Sequence, residues 1–514
     1  MKKQRVFHPL LFAAYPILFL FSNNVWQTDA SVIWIPLALV LGVTTLSWLL
    51  LSHVLRDKAK AAVITSNAVI LMFVYEPVHG VLFGQHGLAV ARHRFLLPVF
   101  GSLLLLGIYL VMRARKHVQV VNGFMNVVAV TLVVVALPDL GNWAVKRSMA
   151  SIDSVSAIRP REDEHVTLSM PDSAPDIYYI ILDGYMRSDL MSEVLGYDNG
   201  EFVGYLEGKG FYVASKSRSN YPYTFLSIPS SLNMEYVNYL SETVGRESHN
   251  VLATYPMIQA NRVGRLLKSI GYRYVQVNSG WSGANRSLIA DEVRTWRNAG
   301  SEEPFNYLLL EMTALYPLVQ PLLDSWRDER GAILFSFEQI SQLGNQEQPT
   351  FVYAHIVSPH PPYVFGANGE HVQEPEEGWN PEGAQRAYLN QLIFINDKVV
   401  ELIDKLLVEN VVSPIIILQA DHGWAWAVGW DPNPNVPLDE RFDMDQVFGI
   451  LNAYHLPGNG RERLYESISP VNSFRLIFNA YFGASFELLR DESYFSVYYE
   501  SPFNFINVTD RLDH

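Results

Sequence analysis

The sequence predicts an α-helical transmembrane bundle of about five spans, followed by an α/β domain whose central, largely parallel sheet is flanked by helices. Three observations carry this. Long apolar runs crowd the first 141 residues, short buried-strand patterns alternate with helical ones from Asp176 onward, and the charge divides between the two parts. Of 38 Lys+Arg and 52 Asp+Glu, residues 1–141 hold 11 and 4 while the remainder holds 27 and 48, giving net charges of +7 and −21.

A bilayer span needs roughly 20 apolar residues. Five runs approach that length: Phe7 to Trp26, Val32 to Leu55, Ala61 to Val78, Phe95 to Met112 and Val118 to Leu140. The first reads as a span rather than a cleaved leader, because no small-residue cleavage pattern follows it and further spans come at once. Basic residues set the orientation. Lys2, Lys3 and Arg5 precede the first run, Arg56, Lys58 and Lys60 separate the second from the third, and Arg113, Arg115 and Lys116 separate the fourth from the fifth. These segments share the cytoplasmic side, so everything after Gly141 is expected outside. Arg92 and Arg94 dissent mildly, as do Lys146 and Arg147. His79, His86 and His93 fall in the outer loop between the third and fourth runs, as interfacial polar residues or as lipid head-group contacts.

Residues 142–175 are polar and read as a linker with room for one helix; 176–514 read as the extracytoplasmic domain. The acidic balance there excludes nucleic acid as a partner, since that binding needs clustered positive charge. The absence of cysteine excludes disulfides, thiolate metal sites and a cysteine nucleophile.

Within 176–514, Ile177 to Leu182, Tyr272 to Val277, Phe351 to Val357 and Ile415 to Leu418 are short apolar runs that suit buried strands. Tyr388 to Leu407 repeats apolar residues at helical spacing, as in Leu392, Ile395, Val399, Ile403 and Leu406. In sheets of this kind chemistry gathers beyond the carboxyl ends of strands. Four pieces of sequence stand there or carry reactive groups. Asp183-Gly184 ends the first strand; a carboxylate there binds something or caps a helix. Asp421-His422-Gly423 follows the Ile415 strand and offers a carboxylate beside an imidazole, which suits Zn or Mn. His355 and His360 end the Phe351 strand, in a turn stiffened by Pro359, Pro361 and Pro362. Finally, 219–234 is dense in hydroxyls, including Thr224 and Ser227; such a group at a helix start near a metal becomes a nucleophile, and otherwise forms an ordinary turn and cap.

The order of these four pieces resembles the alkaline phosphatase/sulfatase superfamily, and more closely its membrane-anchored, sulfatase-like branch of lipid A phosphoethanolamine transferases and lipoteichoic acid synthases. The resemblance covers most of the chain and is most specific from Asp176 to Gly458. It implies a metal site of Asp183, Thr224, Asp421 and His422, where many of the transferases have Glu at the first position. Thr224-x-x-Ser227-x-Pro229 resembles their Thr-x-x-Ser-x-Pro and implies Thr224 as nucleophile, with Ser227 second. His355 and His360 resemble the His-x-x-x-x-His pair that faces substrate, His360 serving the leaving group as a catalytic acid. Trp424, Trp426 and Trp430 form a sugar or lipid platform or pack ordinarily. The resemblance further implies one divalent metal ion (Zn or Mn), a membrane phospholipid donor and a glycan or lipid acceptor. The location it implies is a bacterial cytoplasmic (inner) membrane with the catalytic domain facing outside or the periplasm. Two departures stand out. Asn433 and Asn435 occupy the region where a further histidine often follows the Asp-His pair, His455 being the first downstream, and the transferases' disulfides are missing. The expected function is transfer of a phosphoglycerol- or phosphoethanolamine-type head group through a threonyl ester. Alternatives are a sulfatase or phosphodiesterase, or a catalytically decayed scaffold.

Overall fold

A computed structural model of the chain describes residues 5–24, 30–85, 92–114, 117–157, 166–278, 280–296, 304–324, 328–344, 346–373, 375, 380–424, 442–498 and 500–512. Two compact units emerge: Met1–Ser151 with Ser301–Arg327, and Ile152–Gly300 with Asp328–His514. Lys2, Lys3, His86, Arg115, Lys116, Trp426, Trp430, Asn433 and Asn435, singled out in the sequence, lie outside the described residues.

The first unit holds α1 (His8–Asn24), α2 (Trp34–Leu55), α3 (Lys58–His79), α4 (His93–Arg113) and the start of α5 (Val118–Ala157). Among the described residues, four stretches are long and apolar enough to cross a bilayer: Ser31–Leu55, Lys58–Leu82, His93–Arg113 and Val118–Leu137. The sequence predicts a fifth at the N-terminus. The helix there is described over 17 residues, His8–Asn24, and residues 25–29 beyond it lie outside the described residues. The helix buries Phe12, Ala13, Ile17 and Phe21 instead of exposing them. By contrast α2 leaves Trp34, Ile35, Leu39, Val43, Leu46 and Leu50 bare along its length, and α4 leaves Phe95, Val99, Leu103, Leu106 and Leu110. Apolar stripes of this extent belong against lipid, so the chain is a membrane protein. A buried polar knot joins the starts of α1, α3 and α5: the His8 imidazole meets Ser66 Oγ at 2.6 Å and Asn122 Oδ1 at 2.9 Å, while Asn122 donates to the Ala59 carbonyl. At that same end Lys60 Nζ donates to the Met112 carbonyl at the close of α4. Asp57 caps α3 by accepting from the Ala59 and Lys60 amides. Residues 142–157, predicted as linker, continue the α5 helix.

The second unit is built on a seven-stranded sheet of β1 (Ile177–Leu182), β2 (Tyr212–Val213), β3 (Arg273–Asn278), β4 (Glu292–Thr295), β5 (Thr350–Ile356), β6 (Ile415–Gln419) and β7 (Asn452–His455). The order is β2-β7-β6-β1-β5-β3-β4. The five strands from β6 to β4 run parallel, and β7 is antiparallel to both β6 and β2. Every residue of β1, β5 and β6 is buried, as expected of parallel strands covered on both faces. Alternation divides them. Tyr178, Ile180, Val352, Ala354, Ile416 and Leu418 pack on one face with Leu392, Ile395 and Val399 of the long helix Pro381–Glu409. Tyr179, Ile181, Phe351, Tyr353 and Ile417 pack on the other with Phe474, Ile477 and Phe478 of Pro470–Tyr481. Each such side chain contributes about 1.5–3 kcal/mol on burial. Gln419 adds a polar rivet, accepting from Tyr179 and donating to Asn452 and Ser473.

Asp176 ties the amino ends of the central strands: its carboxylate accepts from the Thr350 amide at 2.6 Å and its carbonyl accepts from the Ile415 amide at 2.9 Å. Burial pushes this carboxyl up to about 6, against the Thr350 hydrogen bond that lowers it. An acid whose pKa is raised on folding binds protons more tightly when folded, so stability falls as pH rises from about 4 to about 6. Asp176→Asn is therefore expected to raise the thermal midpoint at pH 8, where relief amounts to as much as about 3 kcal/mol, with the gain fading by pH 4. Thermal unfolding at both pH values checks it; an equal offset at each would contradict the charge argument.

Candidate active site

Because β6, β1 and β5 are adjacent and parallel, their carboxyl ends lie side by side. That adjacency brings three segments, far apart in sequence, to one point. Asp183 follows β1, His355 stands near the end of β5 with His360 in the turn beyond, and Asp421 and His422 follow β6. Backbone bonds stitch the segments together: the Asp183 amide donates to the Ile356 carbonyl at 3.0 Å and the His360 amide donates to the Asp183 carbonyl at 2.9 Å. The Gly184 amide donates to Asp421 Oδ1 at 3.3 Å. Gly184 turns there with φ of 73°, a conformation that favours glycine. The Gln391 amide group holds the histidine turn by donating to the His360 carbonyl at 3.1 Å and accepting from the Val364 amide at 2.8 Å.

Asp183, Asp421 and His422 are all buried. His422 Nε2 lies 3.4 Å from Asp183 Oδ1 and 3.7 Å from Asp421 Oδ2. Both of those oxygens are sealed from solvent and accept no hydrogen bond. A buried carboxylate oxygen without a donor costs several kcal/mol unless a cation compensates it. Asp183, His360 and His422 form one group of potential ligands within 4.8 Å of one another, and Asp183, His355 and Asp421 form a second. A divalent cation fits this donor set. Burial alone raises the Asp183 carboxyl, but the imidazoles of His360, His355 and His422 hold it well below the usual carboxylate range. Burial lowers the His422 imidazole, yet Asp421 and Asp183 bring it above its ordinary value. The His422 Nδ1–H donates to the Gly423 carbonyl at 2.8 Å, which leaves Nε2 on the side of the carboxylates.

Thr224 opens the helix α6 (Thr224–Asn233), so its hydroxyl stands at the positive end of the helix dipole. Its Oγ1 is 3.4 Å from His422 Nε2. Ser227, one turn further on, is buried and absent from the cavity wall. The approach to Thr224 is fixed by Asn220, whose side chain donates to Ser469 and to the Glu492 carbonyl and accepts from the Val471 amide.

Thr224, His360 and His422 border a cavity of about 290 Å³. Its walls are mostly apolar, and several came with no signal in the sequence: Trp281, Phe442, and Phe495, Val497 and Tyr498 from a C-terminal β-hairpin. No motif marks such positions, because they are ordinary hydrophobic residues that only the packing turns inward. Two expectations need correction. His355, expected at the substrate, is fully buried and is not part of the cavity wall; its Nε2 meets Asp183 Oδ2 at 3.1 Å and Trp281 packs edge-on against its ring. It supports the carboxylate from behind. Trp424 borders the cavity but is only 2% exposed, stacked on Tyr388 with its indole N–H on Tyr363, so it packs and offers no open platform. His79 and His93 stack at 4.0 Å between ring centroids, with His79 on Glu76 and His93 on Tyr75.

No protein-family model and no curated protein matches the chain. Among solved structures it is similar to the C-terminal periplasmic domain of EptC from Escherichia coli, at 12% identity and a TM-score of 0.44, over 68% of this chain and 96% of that one. The integral membrane lipooligosaccharide phosphoethanolamine transferase A of Neisseria meningitidis aligns over 92% of this chain and 95% of its own, at 12% identity and a TM-score of 0.37. A protein in the alkaline phosphatase superfamily from Vibrio parahaemolyticus aligns over 68% of this chain and 82% of its own, at 10% identity and a TM-score of 0.38. At these identities and scores, the chemistry has to be read from the site itself.

Proposed function

We propose that this chain is a membrane-tethered enzyme of the alkaline phosphatase/sulfatase kind. It moves a phosphoryl-linked head group, of phosphoglycerol or phosphoethanolamine type, from a membrane phospholipid to an extracytoplasmic glycan or lipid through a threonyl ester. The observation that carries this reading is the Thr224 hydroxyl at a helix start, 3.4 Å from His422 Nε2, beside two buried carboxylate oxygens that accept no hydrogen bond. In this reading residues 1–141 anchor the protein through five crossings, 142–175 connect, and 176–514 catalyse on the outer side of a bacterial inner membrane.

Asp183, Asp421, His422 and the Thr224 oxygen would hold one divalent ion, zinc or manganese, which when bound stabilises developing negative charge and lowers the pKa of the hydroxyl. The chain's own groups perform the rest. Thr224 is presented by its helix terminus, whose dipole favours the alkoxide. Its oxygen forms a bond to phosphorus as the bond from phosphorus to the glyceride oxygen breaks, and the hydroxyl proton passes to solvent. His360 keeps one ring nitrogen on the Pro361 carbonyl at 2.6 Å, so its other nitrogen faces the cavity and, protonated, gives its proton to the leaving diacylglycerol oxygen. In the second half His360 takes the proton of an acceptor hydroxyl as that oxygen bonds to phosphorus, the bond from phosphorus to the Thr224 oxygen breaks, and Thr224 regains from solvent the proton it lost. The aromatic and aliphatic walls suit the apolar part of a lipid donor.

Peptide mass spectrometry of protein purified with native lipids is expected to find a phosphoglycerol or phosphoethanolamine adduct on the peptide containing Thr224. Thr224→Ala should abolish the adduct and lower turnover on the order of 10⁴-fold, whereas Ser227→Ala should keep the adduct. A bare phosphate or sulfate adduct would redirect the reading to hydrolysis, and an adduct on Ser227 would overturn the nucleophile.

Metal analysis is expected to find one equivalent of zinc or manganese per chain, removed by chelation with a fall in thermal midpoint. Asp183→Asn and Asp421→Asn should each lose the metal and the chelator response. Wild-type protein free of metal and indifferent to chelators would sink the metal site.

A further inference from the structure

The 304–324 segment lies within the span of sequence expected to form the extracytoplasmic domain, yet it belongs to the membrane unit. It forms two short helices, Pro304–Glu311 and Tyr316–Asp324. Phe305 and Leu309 are buried in one cluster with Ile17 and Phe21 near the end of α1, Val32 and Ile33 just before α2, and Phe73 near the end of α3. The Phe305 ring meets Phe21 edge-on at 6.3 Å, and the Ala314 amide donates to the Met72 carbonyl of α3 at 2.9 Å. These are the helix ends away from Lys58, Lys60 and the His8–Ser66–Asn122 knot.

What the segment leaves uncovered is apolar. Leu308, Leu315 and Leu318 are 39%, 43% and 63% exposed. From Phe305 to Leu323 the sequence carries a single charge, Glu311. Helices of 8 and 9 residues rise about 12–14 Å, well short of the roughly 30 Å core of a bilayer. A stretch so apolar, too short to cross and docked on spanning helices, is suited to the boundary between head groups and acyl chains. Tyr307 and Tyr316, joined through their hydroxyls at 2.7 Å, suit the same depth, where an apolar ring and a polar tip are both accommodated.

We infer that residues 304–324 form an interfacial membrane element, lying in the bilayer surface with Leu308, Leu315 and Leu318 in lipid, by which the catalytic part of the chain is held to the membrane at a second point besides α5. The occupant of this apolar face is the bilayer itself, because the segment belongs to the same compact unit as the membrane helices, whose own exposed residues are apolar. This rests on the reading of α2 to α5 as membrane spans.

The chain has no cysteine, so one introduced thiol carries a unique label. Leu308→Cys, Leu315→Cys and Leu318→Cys, each bearing an environment-sensitive fluorophore, would be reconstituted in nanodiscs containing lipids with a nitroxide at shallow or deep acyl positions. All three are expected to emit to the blue and to be quenched several-fold more by the shallow nitroxide than the same label at Asn306→Cys, the polar exposed neighbour. Val43→Cys, bare in the middle of α2, should be quenched best by the deep nitroxide. If Val43 responds and the leucine positions do not, the interfacial element is refuted while the spans stand; blue emission without quenching there would mean a protein surface, such as a second copy, covers the face. If Val43 also fails, the membrane reading itself is wrong.

Discussion

Asp183 and Asp421 leave carboxylate oxygens buried without hydrogen-bond donors, and much of the second unit is arranged to make that tolerable. Three imidazoles surround Asp183 and hold it ionised. A bound divalent cation would compensate the remaining buried charge. The strand order serves it. Only with β1 between β6 and β5, all parallel, do the segments after the three strands meet over one point. A β1 displaced by one place in the sheet would strand Asp183 away from either His422 or His355.

Around this charge the fold spends its polar side chains on rigidity. Gln391 grips the turn carrying His360, Asn220 pins the chain leading to Thr224, and Gln419 links β6 to β1 and β7 through Tyr179 and Asn452. Each is a fully satisfied amide in a buried setting, where a lost partner costs about 1–3 kcal/mol. The result is a hydroxyl, an imidazole and a carboxylate pair held on separate elements that cannot drift independently. Preorganisation of this sort is what the proposed chemistry on a phosphodiester would require.

The apolar walls of the cavity and the apolar outer faces of the helices point to the same class of molecule. In the proposed reading, tethering to the membrane would raise the effective concentration of a lipid donor. The 304–324 segment belongs to that logic: the chain leaves the sheet after β4, docks on the membrane helices, and returns before β5.

Much of this was legible in sequence because it depends on local pattern. Apolar runs marked the four long membrane helices, since crossing a bilayer demands length and hydrophobicity alone. Uniformly apolar pieces marked β1, β5 and β6 within a residue of their ends, since parallel strands are buried on both faces. The acidic and histidine residues at their ends stood out as polar groups where burial was certain. What pattern could not supply was proximity. His355 looked like a substrate contact until the sheet register set it behind Asp183, and Trp424 looked like a platform until Tyr388 covered its face. The hairpin that walls the cavity and the segment that docks on the membrane helices are made of ordinary hydrophobic residues. The sequence by itself determined which residues must be buried and which strands must end in charge. Tertiary structure decided which of those ends meet and what each apolar face touches, because strand order and docking depend on contacts between residues hundreds of positions apart.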